Sequence, residues 1–311
     1  MDKEIWKKPL RQCNIGGEAL IEGVMMRNGN KIATAIRKSN GEIEVETTEY
    51  VPLSKRFFLF KLPIVRGAVG MIESMVVGMK ALMDSAEKVD LEEEEESKLD
   101  IFLKKVFGDR FFQVMLYFSV VVALVFGIGL FMLLPNWIAG WVRFDKSTTG
   151  GKILANLIEG CIRLIIFFTY IWAVSKSKDI KRVFEYHGAE HNAIYAYESR
   201  EELTVENAMK HTTLHPRCGT AYLFVVIITS IILFSFAKWH SPLVNMAIRL
   251  MLLPLVAGVA YEIFKIAAKT SFKPLRVISY PGLMLQKITT QPPDESQIEV
   301  ALAALKAVVE D

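Results

Sequence analysis

A polytopic α-helical membrane protein, with four transmembrane helices and a small cytoplasmic N-terminal β-meander plus helix, is the fold class that three observations predict. The chain is 52% hydrophobic with a positive mean hydropathy, yet 23% of its 311 residues are charged. That mixture is expected of membrane segments joined to sizeable polar parts. Four stretches, 111–134, 152–175, 219–237 and 243–268, stay apolar over the roughly 20 residues that a helix needs to cross a hydrocarbon core of about 30 Å. Ahead of them, short β-prone runs are punctuated by Asn-Gly dipeptides.

The elements follow in order. The first residues, "MDKEIWKKPL", are charged and lack the apolar core of a signal peptide, so the chain is expected to be targeted by its own first span. "ALIEGVMMR", "KIATAIRK" and "EIEVETTEY" are separated by Asn28-Gly29 and Asn40-Gly41, dipeptides that accept the positive φ of tight hairpins. They predict a three-stranded meander over about 19–50. Next, "LPIVRGAVGMIESMVVGMKALMDSAEK" predicts a helix over about 63–86, on which Arg66, Glu73 and Lys80 recur every seven residues as one polar stripe. A span here would invert every later loop, so the helix is expected at the cytoplasmic interface of the membrane or packed under the strands. These parts form a cytoplasmic α+β unit, 1–90. The run "LEEEEESKLD" has no apolar periodicity and reads as a solvated acidic linker, 91–110, rather than a chelator. A membrane domain, 111–268, contains a His-rich loop, 176–218. The tail, 269–311, ends in an amphipathic helix with Asp294 or Ser296 available as its cap.

Basic residues orient the spans, because Lys and Arg are retained on the cytoplasmic side. Lys176, Lys178, Lys181 and Arg182 follow the second stretch, and Lys269, Lys273 and Arg276 follow the fourth. A multi-pass protein of the cytoplasmic (inner) membrane with both termini inside is the expected arrangement, with Trp137, Trp141 and Trp239 at the outer interface. The lipid bilayer is thus the first expected partner. Nucleic acid is excluded: the net charge is only +3, and no basic stripe with interleaved aromatics appears. Cys13, Cys161 and Cys218 are too scattered for a disulfide framework.

"FEYHGAEHNAIYAYE", 184–198, carries the most specific chemistry. On a helix, His187 and His191 share a face one turn apart, so two imidazoles can converge on one ion with Glu190 beside them. The pattern H-x-x-E-H is that of inverted zinc proteases, in which the glutamate activates water. His211 and His215 lie in the same loop, and "HPRC" places Cys218 three residues after His215. Imidazole and thiolate together suit zinc or a similar divalent metal. By topology, His215, Cys218 and Glu262 are brought to the same cytoplasmic surface, and they are the candidates for a third ligand, in that order. Glu262 lies inside a span, where an acid is costly unless paired or used. The bland reading is that these are polar loop residues beside a helix-closing turn.

A second constellation lies toward the other leaflet. Glu159 and Arg163 are one helical turn apart, and Arg249 falls at a similar depth. Either they form a structural bridge, or the surplus positive charge holds an anion such as a lipid headgroup. Pro254 is expected to kink the fourth span just below. In "GGEALIEGVMMRNG", the glycines permit a turn and close approach, the Lys-Ser/Thr ending of a phosphate loop is missing, and strand alternation would put Glu18, Leu20 and Glu22 on one face.

"GGEALIEGVMMRNG", "LPIVRGAVGMIESMVVGMKAL", "EYHGAEHNAIYAYE", "HPRCGTAYLF" and "PGLMLQKITTQPPDESQIEVALAAL", five blocks in order over nearly the whole chain, together resemble the YqhQ-like family of bacterial membrane proteins. That family is uncharacterised, and the resemblance implies a metal-dependent enzyme in the cytoplasmic membrane without naming a substrate. Two functions therefore stand. One is a divalent-metal-dependent hydrolase acting on a membrane-associated substrate, with Glu190 as general base. The other is a non-catalytic subunit of a membrane complex, such as a protein translocation or envelope assembly.

Overall fold

The structure is a computed structural model that describes residues 10, 15–89, 111–142, 148–235, 242–269 and 273–309. The acidic stretch 91–110, Cys13 and Trp239 lie outside the described residues. The chain divides into two compact units, one comprising 1–89, 171–230 and 252–311 and the other 90–170 and 231–251.

The first unit is built on a four-stranded antiparallel meander, β1 (Ile15–Leu20), β2 (Gly23–Asn28), β3 (Lys31–Arg37) and β4 (Ile43–Glu49), in that spatial order. The expected count was three. The extra strand arises because "ALIEGVMMR" reverses at Ile21-Glu22, with Leu20 paired to Gly23 and Glu22 at φ 50°. Neither of the two turn positions is a glycine, although Gly23 closes the hairpin. Its cost is offset by bonds that Glu22 makes elsewhere: its carbonyl accepts from Arg37 N–H, and its carboxylate holds Arg182. Glu22 therefore leaves the face it was expected to share with Glu18. The Asn-Gly sites behave as hairpins should, with Gly29 at φ 62° and Gly41 at φ 86°.

Alternation gives the sheet two apolar faces. Val24, Met26, Ala33 and Ala35 pack on one side against buried Ala189, Ala193, Ile298, Ala301 and Leu305, while Leu20, Met25 and Ile32 meet Ala81 on the other. The helix on this second side is α1 (Val65–Lys88). Those on the first side belong to two later segments, both separated from α1 in sequence by helices α2 (Phe111–Ile128, continuing through a π turn at Gly129–Leu133 into Leu134–Trp141) and α3 (Thr149–Val174). The His-rich segment is itself helical: α4 (Lys178–Glu198), then a short α5 (Val205–Met209). After α6 (Gly219–Ser235), α7 (Pro242–Lys269, with Pro254 inside it) and α8 (Lys273–Thr289), the chain ends in α9 (Glu295–Val309).

Asp294 starts α9 with a reciprocal capping box. Its Oδ1 accepts from Gln297 N–H at 2.9 Å, and Gln297 Oε1 accepts from Asp294 N–H at 2.9 Å. On α9, Ile298, Val300, Ala301, Leu302, Ala304, Leu305 and Val308 are buried, while Glu295, Glu299 and Lys306 stay exposed. The wide apolar face packs against α4 and against strands β2 and β3.

Three helices are long and apolar enough to cross a membrane, Phe118–Trp141, Ile153–Val174 and Val244–Ala267. The expected fourth, α6, is shorter: its 17 described residues span roughly 25 Å against the ~30 Å of hydrocarbon.

Candidate functional site

The site grows from the packing of α4. Its inward face is small, with Gly188, Ala189, Ala193 and Ala196 fully or almost fully buried, so neighbouring backbone can come close. Gly188 is the tightest point: a Cβ there would lie 2.1 Å from the carbonyl oxygen of Gln291. Gln291 N–H in turn bonds the carbonyl of Phe184 at 2.9 Å. This contact fixes the segment after α8 along the helix and sets Thr289 beside His187.

His187 and His191 share a face, with ring centroids 4.6 Å apart. Each Nδ1 meets a backbone carbonyl, His187 that of Thr289 at 2.9 Å and His191 that of Thr213. A carbonyl only accepts, so each Nδ1 carries the proton and each Nε2 presents a lone pair. His187 Nε2 lies 3.1 Å from Cys218 Sγ, and with the ring nitrogen unprotonated the thiol is the donor. His191 Nε2 is buried with no hydrogen-bond partner, in a residue that is 1% exposed. One ring nitrogen of each histidine and the sulfur lie within 4.8 Å of one another. A tetrahedral ion with bonds of ~2.0–2.3 Å would draw such donors to roughly 3.3–3.8 Å.

Glu190 completes the group. Its carboxylate Oε2 is 3.9 Å from His187 Nε2 and 4.0 Å from His191 Nε2, and it accepts a backbone hydrogen bond from Gly17 on β1. Burial raises its pKa, while His187 and the Gly17 bond act in the opposite direction. Glu18, the next residue on β1, is pushed up to about 7, first by burial and then by the charge of Glu190. Gly16, Gly17, Glu18, Met25, Arg27 and Gly29 line a cavity of about 330 Å³, so Gly17 borders both this space and Glu190.

Residues 62–311 match the family described as "Protein of unknown function (DUF1385)". The chain is 32% identical over 299 residues to "Uncharacterized protein YqhQ" of Bacillus subtilis (strain 168), covering 94% of this chain and 92% of that protein. The chain belongs to the DUF1385 family. No solved structure matches it. All four residues of the cluster fall within the DUF1385 match, whereas the sheet that supplies Gly17 and Glu18 precedes it.

His215, the first candidate for third ligand, is buried with its ring 5.5 Å from that of His191, but both nitrogens have other neighbours: its Nδ1 accepts from Arg217 N–H at 3.3 Å and its Nε2 is 3.7 Å from Glu198. Burial pushes its pKa down to about 4. Gln286 on α8 clamps its backbone, accepting from its N–H at 2.8 Å and donating to its carbonyl at 2.9 Å. His211 pairs with Glu201 at 3.0 Å. Glu262 is held by both arms of Arg66, at 2.7 and 2.5 Å, away from the histidines. Cys218 is the group that the fold brings to His187 and His191. The backbone carbonyls of Thr213 and Thr289 and the N–H of Gly17 were invisible to sequence reasoning, since main-chain groups carry no residue signature.

In the second unit, Glu159 accepts from both nitrogens of Arg249, one at 2.7 Å, and from Arg163 at 3.0 Å. Arg163 Nε donates to the carbonyl of Phe131 at 2.9 Å. That carbonyl lies in the π turn of α2, where the widened backbone leaves acceptors free of the usual ladder. Both guanidinium groups also stand over the ring of Phe234, at 5.7 and 5.6 Å. Glu159, Arg163 and Arg249 are all buried.

Proposed function

We propose that this chain is a protein of the cytoplasmic membrane that binds a divalent metal, zinc by its donor set, through His187, His191 and Cys218, and hydrolyses a membrane-associated substrate. The observation that carries this reading is the buried, unpartnered Nε2 of His191, in a residue grouped within 4.8 Å with donors of His187 and Cys218. A satisfied core histidine would spend both ring nitrogens on neighbours. Here the carbonyls of Thr213 and Thr289 fix both tautomers as carbonyl-bound zinc histidines require. Thr220 N–H and hydroxyl, 3.5 and 3.2 Å from the sulfur, support charge on Cys218. When bound, zinc supplies Lewis acidity and makes a water more acidic.

The chain's own groups do the rest. Glu190 Oε2 is the base: burial gives it high proton affinity, and the Gly17 N–H keeps its carboxylate facing the histidines. The cavity beside Gly17 admits substrate. The positive-inside pattern of Lys176 to Arg182 supports a cytoplasmic position for the site.

One feature favours a second reading. Glu190 stands within 4.0 Å of both imidazoles, so it can serve as a fourth donor, closing the site in the manner of a structural centre within a membrane complex. Metal analysis of purified protein separates the two. Wild type is expected to hold one equivalent, and His191→Ala and Cys218→Ser to lose most of it. Glu190→Gln keeps the metal if the site is open and loses it if Glu190 is a ligand. Full metal content in the His187→Ala, His191→Ala double variant removes both readings.

A further inference from the structure

Helix α1 is amphipathic in the wrong sense for water. Its inward face carries Gly67, Glu73, Gly78, Ala81 and Ser85, and the buried Glu73 accepts from Tyr50 hydroxyl at 2.8 Å and from Leu53 N–H at 2.6 Å. Its outward face carries Ile72, Met75, Val76 and Met79 at helical spacing, with Val76 64% exposed. Of the polar stripe seen in the sequence, Glu73 is buried and Arg66 pairs with Glu262, while Lys80 is exposed. Just before α1, "KRFFLFK" adds Phe57, Phe58 and Leu59, with Phe58 75% exposed and Leu59 66% exposed. Every exposed charge from 51 to 80 is basic: Lys55, Arg56, Lys61 and Lys80.

The segment is seated on a helix long and apolar enough to cross a membrane. Gly258 of α7 leaves room for the backbone of Ile64, whose carbonyl oxygen would sit 2.2 Å from any added Cβ. Gly67 lies against Tyr261, and Arg66 grips Glu262. Ile64 takes φ 69°, a left-handed backbone that a β-branched residue rarely accepts, and so brings the chain into this contact. These contacts fall between Gly258 and Glu262, roughly 8 to 14 Å along the helix from Ala267, the end of its apolar window.

We infer that residues 53–79 form a re-entrant element that enters one leaflet of the bilayer without crossing it, with Phe57, Phe58, Leu59 and the Ile72 to Met79 face among the acyl chains and the basic residues at anionic phospholipid headgroups. The inference rests on α7 spanning the membrane. Inverted amphipathicity, uniformly basic exposed charge and continuity with the apolar surface of α7 all select lipid over water as the medium for this face.

Spin labels on the full chain test it, in a background of Cys13→Ser, Cys161→Ser and Cys218→Ser, reconstituted in vesicles of phosphatidylcholine with or without phosphatidylglycerol. Labels at Phe58→Cys and Val76→Cys should collide several-fold more with oxygen than with a water-soluble nickel chelate, and a label at Glu87→Cys should do the reverse. A label at Val121→Cys on α2 reports the membrane reading independently. If Val121 is in lipid while positions 58 and 76 meet the nickel chelate, the re-entrant element is refuted and the span reading survives. If Val121 also meets the chelate, the span reading fails. Low collision with both reagents at 58 and 76 means a protein covers this face, which also overturns the inference. Replacing Lys55, Arg56 and Lys61 by Gln should lower the oxygen preference at 58 only in vesicles containing phosphatidylglycerol; no difference between the lipids refutes the headgroup contacts.

Discussion

Gly188→Ala tests whether backbone approach positions the histidines. In an open helical position this substitution stabilises, since Ala is favoured over Gly by roughly 0.8–1 kcal/mol. At Gly188 the added methyl would lie 2.1 Å from Gln291 O and 3.2 Å from Thr213 Cγ2. The first distance is more than 1 Å inside ordinary contact, and the obstacle is main chain that is itself bonded to Phe184. Forcing the segment away should cost about 1–3 kcal/mol, outweighing the helical gain in most of that range. It also pulls Thr289 O from His187 Nδ1 and Thr213 O from His191 Nδ1, so both tautomers lose their anchors. The expected outcome is an apparent melting temperature lower by several degrees in detergent, with zinc affinity reduced at least tenfold by competition with a chelating dye. Gly70→Ala, where nothing lies within 4 Å, is the control and should melt at or above wild type. A Gly188→Ala protein that melts with the control and binds zinc like wild type would falsify the account.

Three further outcomes are expected. Glu159→Gln leaves Arg163 and Arg249 buried without their counter-charge and should cost about 3–5 kcal/mol, read as loss of thermal stability in detergent and partly restored by adding Arg249→Met. Asp294→Ala removes one half of the capping box of α9 and should cost about 1 kcal/mol; because that helix lies in the core, the loss should appear in unfolding of the first unit. Glu18 has a folded pKa of about 7 against an ordinary 4.5, so the folded chain retains a proton that the unfolded chain releases. Its contribution is complete below pH 4.5 and lost as pH rises through 7, by as much as ~3 kcal/mol. In chelator, Glu18→Gln should therefore flatten the pH dependence and be more stable than wild type at pH 8; an unchanged profile would count against the buried carboxyl.

What the sequence made legible was local and periodic. Apolar length marked the helices long enough to span, Asn-Gly marked two hairpins, and the spacing of His187 and His191 put them on one face. What it hid depends on partners remote in the chain. The Ile21-Glu22 turn lacks a glycine because its compensation comes from Arg182 and Arg37. The apolar stripe of α9 does not say which elements will cover it, here α4, β2 and β3. His215 had the better chemistry for a third ligand, yet Glu198, Arg217 and Gln286 engage it, leaving Cys218 at the histidines. Glu262 met Arg66, a residue read beforehand only as part of a stripe.

The place of α9 governs when this protein can become whole. The meander is made before the apolar helices, whereas the residues that fill much of one of its faces, Ile298 to Val308, are made after them. Synthesis proceeds at roughly 5–20 residues per second, so Val24, Met26, Ala33 and Ala35 have at most α4 to cover them while α6 and α7 are made. Closing so long a loop is slow and leaves sheet surface open to wrong associations. A chain halted or cut before residue 294 would thus hold its apolar helices and still lack the helix that packs against both α4 and strands β2 and β3. For this architecture, completion of the fifteen-residue α9 acts as the checkpoint after which the histidines acquire their final setting.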